Sequence, residues 1–481
     1  MTTVATPTVH DRLFVGGDWD TPSTTTTITV RSASTEEIIG EVPDGSAADI
    51  DRSVAAARRA LPGWSAREPA ERATFLERFA DELTARAEQV TTLVSAQNGM
   101  PIALSRQIEG GFPALLLRYY AGLIREQEPE EQRPGLLGGS ALVRRDPVGV
   151  VAGIVPWNYP QTLAFTKIAS ALAAGCTVVV KPSPETVLDS YVVAEAAMAA
   201  GLPAGTLNIV PAGRETGAYL VTHPDVDKVA FTGSTAAGRA IAGECARLLR
   251  PVSLELGGKS AAILLDDADL SGNAENLAAA CLANNGQTCY LSTRILAPRS
   301  RYQEVVDAFT ELARGLRIGD ALDPGTQLGP MATAGHRERV ESYIARGRES
   351  GARVTAGGGR PDRRGWFVDP TVFSDVDNNA VIAREEIFGP VLAVIPYTDI
   401  DEAVRLANDS DYGLGGTIWT RDQDRGVDVA RKIQSGTIGI NHYVPEPSAP
   451  FGGVKASGLG REFGPEGLAA YQQLKSIYLP Q

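Results

Sequence analysis

From Val148 onward the sequence alternates short β-branched runs with alanine-rich stretches, a rhythm that few folds accommodate. Residues 148–155, 177–180, 207–211 and 228–231 are mostly apolar and of strand length, and 161–174, 186–200 and 235–249 read as the helices between them. Strands without polar alternation are covered on both faces, so strand, helix and strand in repetition predict a parallel, doubly wound, Rossmann-like α/β sheet. Such a sheet binds nucleotides at its carboxyl edge. A second alternation begins near Ser260, with 261–265 as strand and 270–285 as helix, and continues to about Asn441, which predicts a second α/β unit. Ahead of both lies a helical layer over 46–98, with Ser46 as N-cap, Phe75, Leu76, Phe79 and Leu83 at helical spacing, and a break at Pro62-Gly63.

At roughly 150 residues per domain, 481 residues suggest about three compact units. The stretch 127–147 is polar and marked by Gly and Pro around Leu142-Val143-Arg144-Arg145, and the chain closes on Ile477-Tyr478-Leu479-Pro480. Two isolated strand-like pieces so far apart predict a paired β-arm whose free edge invites another subunit. A net charge of −13 and a pI near 5.0 argue against nucleic acid and anionic membrane as partners. No apolar run reaches the roughly 18 residues of a membrane span, and Met1 to Asp11 has neither the basic nor the apolar part of a secretory signal. Cys176, Cys245, Cys281 and Cys289 show no metal-type spacing, so no metal site is expected and a reducing cytoplasm is the expected location.

Two segments carry reactive groups. Asn284-Asn285-Gly286-Gln287-Thr288-Cys289 sets a thiol in a turn of small residues, where backbone N–H groups can face a developing oxyanion. Glu255-Leu256-Gly257-Gly258-Lys259 sets a carboxylate after an apolar strand, and its glycine pair implies close backbone approach. His10, His223, His336 and His442 are the four histidines and none sits in a motif-like setting, so a Cys-His hydrolase is poorly supported and Glu255 is the better proton acceptor. Taken singly, Cys289 reads as a buried small residue, Glu255 as a strand-end ion-pair partner and Asn158 as a turn residue. Their combination outweighs those readings.

Pro156-Trp157-Asn158, Lys181-Pro182-Ser183, Phe231-Thr232-Gly233-Ser234, Glu255-Leu256-Gly257-Gly258-Lys259, Gly286-Gln287-Thr288-Cys289 and Glu386-Ile387-Phe388-Gly389-Pro390 occur in that order. With Gly16-Gly17-Asp18-Trp19 and Pro450-Phe451-Gly452-Gly453 at either end, the chain resembles the aldehyde dehydrogenase superfamily over nearly its whole length. The resemblance implies a catalytic set of Cys289, Glu255, Asn158 and Lys181. In that set the Cys289 thiolate attacks the aldehyde, and Asn158 with the Cys289 N–H holds the thiohemiacetal oxyanion. Water activated by Glu255 then hydrolyses the thioester. A glutamate at 255 points to water rather than CoA as acceptor. The implied cofactor contacts are Val155, Pro156 and Trp157; Lys181, Ser183 and Glu185; Gly213 and Gly217; Phe231, Gly233 and Ser234; and Leu256, Glu386 and Phe388. The implied division is a cofactor-binding unit over 1–126 and 147–256, a catalytic unit over 257–445, and an oligomerisation arm over 127–146 and 463–481.

Many NAD-preferring relatives carry an acid three residues after the lysine, whereas this chain has Pro184 there and Glu185 next. A glutamate near a 2′-phosphate repels it, and no Lys or Arg lies between Pro182 and Ser190, which favours NAD and leaves NADP open. Thr288 and Tyr290 beside the nucleophile, and Gln161, Thr162 and Leu163 after the Asn158 turn, carry no charge, and Tyr443, Val444 and Pro445 lie in a segment that often lines the family's tunnel. A neutral apolar or aromatic aldehyde is therefore the expected substrate. A semialdehyde or other charged aldehyde is the alternative, and from another class, a catalytically silent binding protein on the same fold.

Overall fold

The computed structural model describes residues 7–480, so the tips of the expected cofactor unit (1–6) and arm (481) lie outside the described residues. One eight-stranded sheet runs, edge to edge, 458–459, 252–255, 228–232, 150–154, 177–181, 207–209, 13–15 and 18–20. Its five central strands are parallel and every residue of the three innermost is buried, as helices on both faces require. From 150–154 the chain steps to 177–181 and 207–209, then returns to 228–232 on the other side. The strand order thus reverses between 150–154 and 228–232, where a crevice opens at the carboxyl ends.

A seven-stranded sheet follows, in the order 353–356, 371–374, 391–397, 292–298, 260–264, 417–419 and 439–440. Its first two chain members, 260–264 and 292–298, pair in parallel at its centre. Residues 256–259 are all that connects Glu255, the last residue of one sheet, to Ser260, the first of the other. Glu255, Cys289 and Glu386 are therefore all loop or strand-end residues at the seam between two rigid sheets. A separate three-stranded sheet is the arm: Glu130–Pro134 and Ser140–Pro147 form a hairpin, and Gln472–Leu479 pairs antiparallel with the second strand, Leu142 opposite Ile477. Residues 463–471, which the sequence reading included in the arm, pack on the main body, with Phe463, Leu468 and Tyr471 in its core.

Three predicted boundaries move, each for a physical reason. The first helix, Ala47–Ser65, runs through Pro62-Gly63 rather than breaking there. Pro62 lies in the last turn, where one intrahelical bond is lost, and buried Trp64 anchors the end by donating Nε1–H to the Leu172 carbonyl at 3.2 Å. The helix expected from 186 begins at Asp189, because Gln97 Oε1 accepts the Val187 and Leu188 amides at 2.8 and 2.9 Å and holds them in a turn. The helix expected over 270–285 is Ala274–Leu282, since Asn284 and Asn285 adopt left-handed φ of 50° and 61°.

Candidate active site

Left-handed backbone at Asn284, Asn285 and Gly286 (φ 79°) turns the chain sharply ahead of Cys289. Three consecutive residues in that region are strained unless their surroundings fix them, and the polar side chains do so. Asn285 Nδ2 donates to the Gly99 and Pro330 carbonyls at 2.8 and 2.9 Å while its Oδ1 accepts the Gly329 amide at 2.6 Å. Gln287 Oε1 accepts the Ala332 amide at 2.9 Å, and Asn284 Nδ2 donates to the Asn158 carbonyl at 2.9 Å. These amides are clamps that present the thiol. Gly258 closes against the Cys289 carbonyl, where a Cβ would collide.

Asn158 faces the same turn. Its backbone carbonyl is held by Asn98 and Asn284, and its Nδ2 donates one hydrogen to the Gln287 carbonyl at 3.0 Å, which leaves the second for a substrate oxygen. The Cys289 and Tyr290 amides lie near enough to the sulfur to favour its thiolate, against the larger effect of burial. Cys289 is half-buried, and burial, then the Glu386 and Glu255 carboxylates, push its thiol well above the usual range. Glu255 is buried, with no hydrogen-bond partner on either oxygen. Burial and then the neighbouring Glu462 raise its carboxyl well above the ordinary carboxylate range, against the pull of Lys167 and Arg461. A carboxylate made more basic by burial is suited to take a proton.

A cavity of ≈ 650 Å³ opens at the point where the strand order reverses. Pro156, Trp157 and Asn158 form one wall and Gly233, Ser234, Leu256 and Gly257 another, while Cys289, Glu386 and Phe388 close it. Ser234 caps the helix Thr235–Arg247, accepting the Ala237 amide at 3.3 Å, so the free N–H groups of the helix start face the cavity. A Cβ at Gly233 would meet the Phe231 ring at 2.5 Å, and one at Gly238 would meet Leu256 at 2.5 Å. Glu386 Oε1 accepts the Gly258 amide at 3.0 Å, and burial pushes its carboxyl up to about 7 despite that bond and the nearby Arg339 and Lys259.

The remaining predicted contacts gather at the end of strand Thr177–Lys181, away from this wall. Lys181 Nζ donates to the Pro182 and Ala212 carbonyls at 2.9 Å each, and burial pulls its ammonium down to about 8. Ser183 donates to Glu185 at 2.5 Å. A Cβ at Gly217 would meet the lysine's stem at 3.0 Å, and the Gly213 amide donates to Asp44 at 2.9 Å. Val155 is buried and donates to the Lys181 carbonyl at 3.2 Å.

Across the described chain, the aldehyde dehydrogenase family model matches residues 19–477. The chain belongs to the aldehyde dehydrogenase family. It is 57% identical to geranial dehydrogenase of Castellaniella defragrans, over 98% of this chain and 99% of that one. It is 40% identical to phenylacetaldehyde dehydrogenase of Pseudomonas fluorescens, over 97% and 95%. A Mycobacterium tuberculosis aldehyde dehydrogenase complexed with NAD+ superposes with a TM-score of 0.97 at 46% identity, covering 99% of both chains. An aldehyde dehydrogenase C mutant of Pseudomonas syringae in complex with NAD+ and octanal gives 0.94 at 38% identity, covering 97% and 96%.

Two cleft residues of this aldehyde dehydrogenase escaped the sequence reading. His336 was set aside with the other histidines, yet it lines the cavity and donates Nε2–H to the Phe388 carbonyl at 2.7 Å. Burial pulls its imidazole down to about 4, so it is neutral near pH 7 and packs between Trp157 and Phe388 at 5.1 and 5.9 Å. Arg339, one turn on along Ala334–Glu349, donates to the Glu386 carbonyl at 2.8 Å. Their only sequence signal is a charged helix, and that pattern is common to any solvated face.

The site geometry sets two expectations for an aldehyde dehydrogenase. Asn158→Ala tests an oxyanion role for the Asn158 amide: loss of one such donor is expected to lower kcat by about 10²–10³-fold, read in steady-state NADH formation. An effect below about threefold would take Asn158 out of the oxyanion site. Because the Glu386 carboxylate raises the Cys289 thiol, Glu386→Gln is expected to speed iodoacetamide alkylation of Cys289 above pH 7, where Glu386 is ionised. Below pH 6 it is expected to change little. Equal rates at pH 8 would contradict that coupling.

Proposed function

We propose that this aldehyde dehydrogenase oxidises neutral, apolar aldehydes to carboxylic acids with NAD+. The observation that carries the substrate class is an unbroken aromatic wall beginning at the residue after the nucleophile. Tyr290 stacks on Tyr443 at 4.5 Å and meets Phe451 at 6.4 Å; Phe451 meets Phe463 at 5.7 Å, and Phe463 meets Phe112 at 5.6 Å. Tyr443 and Phe451 also border an open cavity of ≈ 630 Å³ with Val444 and Pro445, and no Lys or Arg lines it. Its one acid, Glu446, is exposed and disfavours an anionic tail. These features argue against the semialdehyde reading, and relatives named for geranial and phenylacetaldehyde support an apolar one.

The residues suit a dinucleotide. The close-packed glycines, the open helix start at Ser234 and the Glu386–Phe388 pair form a cradle for pyrophosphate and nicotinamide ribose, with Lys181 and Glu185 toward the adenosine ribose. Glu185 beside Lys181 argues for NAD+ over NADP+. An NAD+ held by these residues would supply the hydride acceptor for the substrate carbon.

Within the protein, the Cys289 sulfur bonds the aldehyde carbon and gives its proton to solvent. The carbonyl electrons move to oxygen, where Asn158 Nδ2–H and the Cys289 N–H receive the charge. After oxidation to the thioester, Glu255 takes a proton from water as the water oxygen attacks, and the carbon–sulfur bond breaks to release the acid and the thiolate. The division into a cofactor unit, a catalytic unit and an arm, and association through exposed Leu474, Ile477 and Tyr478 into a dimer or tetramer, belong to the same reading. Free cysteines at 176, 245, 281 and 289 agree with a reducing cytoplasm.

NADH formation across a panel of geranial, phenylacetaldehyde, octanal, succinic semialdehyde and betaine aldehyde tests the substrate class. The first three are expected to exceed the last two in kcat/KM by at least about tenfold. A preference for either charged aldehyde would replace this reading.

A further inference from the structure

Behind the Gly257-Gly258 turn, Lys259 is 2% exposed and its Nζ has no hydrogen-bond partner, an arrangement that is costly for an ammonium without a purpose. Its neighbours are defined. Arg294, from strand Ser292–Pro298, is also buried, but each of its three nitrogens is engaged: Nε to the Lys259 carbonyl at 2.9 Å, Nη1 to Asn378 and Leu406, Nη2 to Ala407. Arg294 is thus a fixed positive charge that repels Lys259, and the attractive charge on the lysine is Glu386. Lys259 and Glu386 border one small space of ≈ 10 Å³ with Gly258 and Thr288, about the room one water needs. On the lysine's other side a second void of ≈ 20 Å³ is lined by Arg294, Tyr412 and Ser260, whose hydroxyl is also unpartnered.

We propose that Lys259 is a positioning residue for the nucleotide, its charge holding Glu386 ionised toward the cofactor cleft from across the small space that both residues border. The proposal rests on Glu386 as a cofactor contact. Three groups hold that carboxylate: the Gly258 amide fixes one oxygen, Arg339 lies on the cleft side and Lys259 stands behind. Arg339 donates to the Glu386 main-chain carbonyl and is tied to Tyr343, so Lys259 is the one nearby cation without another hydrogen-bond commitment. Burial, then Arg294, draws the Lys259 ammonium down to about 7 while Glu386 pulls it up, and burial pushes Glu386 up to about 7 while the Gly258 amide, Arg339 and Lys259 pull it down. Removing the lysine charge leaves Glu386 protonated to higher pH and less able to accept hydrogen bonds from ribose hydroxyls.

Equilibrium NADH binding, followed by fluorescence from pH 6 to 9 in the wild type, Lys259→Met, Glu386→Gln and the double variant, tests this. Lys259→Met keeps volume without burying a charge, so its melting temperature is expected to match or exceed the parent's; Lys259→Gln replaces it if it does not fold. In Lys259→Met the rise of affinity with pH is expected to shift upward by about one pH unit, weakening NADH by about fivefold at pH 7 and about tenfold at pH 6. In the Glu386→Gln background the same change is expected to do nothing. An unshifted profile in Lys259→Met, or equal weakening in both backgrounds, would overturn the proposal. If Glu386→Gln alone binds NADH as the parent does, the reading of Glu386 fails instead.

Discussion

Cys289→Ala is expected to abolish aldehyde oxidation, by on the order of 10⁴-fold or more, while leaving NADH binding and the melting temperature close to the parent's. The asymmetry follows from what surrounds the sulfur. The turn that presents it is held by Asn284, Asn285 and Gln287, none of which bonds the thiol, so shortening the side chain leaves the clamps intact. A cysteine packs as a small hydrophobe, and removing its sulfur costs about 1 kcal/mol. No other group can replace it: Cys281 is fully buried, and the Thr288 hydroxyl is engaged with Tyr159 at 2.9 Å. Residual turnover within tenfold of the parent would remove Cys289 from the mechanism.

Glu255→Gln is expected to separate the two halves of the reaction. Attack and oxidation use Cys289 and Asn158, so one equivalent of NADH per site is expected in a burst, after which turnover falls about 10²–10⁴-fold because no base activates water. The same variant carries a stability signature. The folded carboxyl titrates above its unfolded value, so both states are protonated well below pH 4.5 and the charge contributes nothing there. As pH rises past 4.5 the unfolded chain ionises while the folded one resists, and the wild type loses stability relative to the glutamine variant. The variant's melting temperature is thus expected to exceed the parent's at pH 7, the gap closing toward pH 4. A variant that melts lower at pH 7 would mean that Glu255 is bonded in the folded protein.

The strand rhythm after Val148 was legible because the innermost strands are buried on both faces, leaving no polar alternation to mistake for anything else. The arm was legible because Leu142-Val143 and Ile477-Tyr478 are isolated apolar pieces in polar surroundings. The register of the seam was not. That Glu255 ends one sheet and Ser260 starts the next depends on pairings across hundreds of residues, such as Glu255 with Gly458. His336 and Arg339 were missed for a related reason: they enter the cleft through tertiary placement of a helix whose own pattern is merely polar. Pro62 misled because its cost depends on how near the helix end it falls, which buried Trp64 sets from outside the local sequence.

The most direct test is the intact mass of Glu255→Gln after rapid mixing with NAD+ and octanal, followed by peptide mapping. The account predicts one octanoyl group per chain, on the peptide containing Cys289, accumulating with the NADH burst. A burst of NADH without an acyl group on Cys289, or with one on another residue, would contradict it.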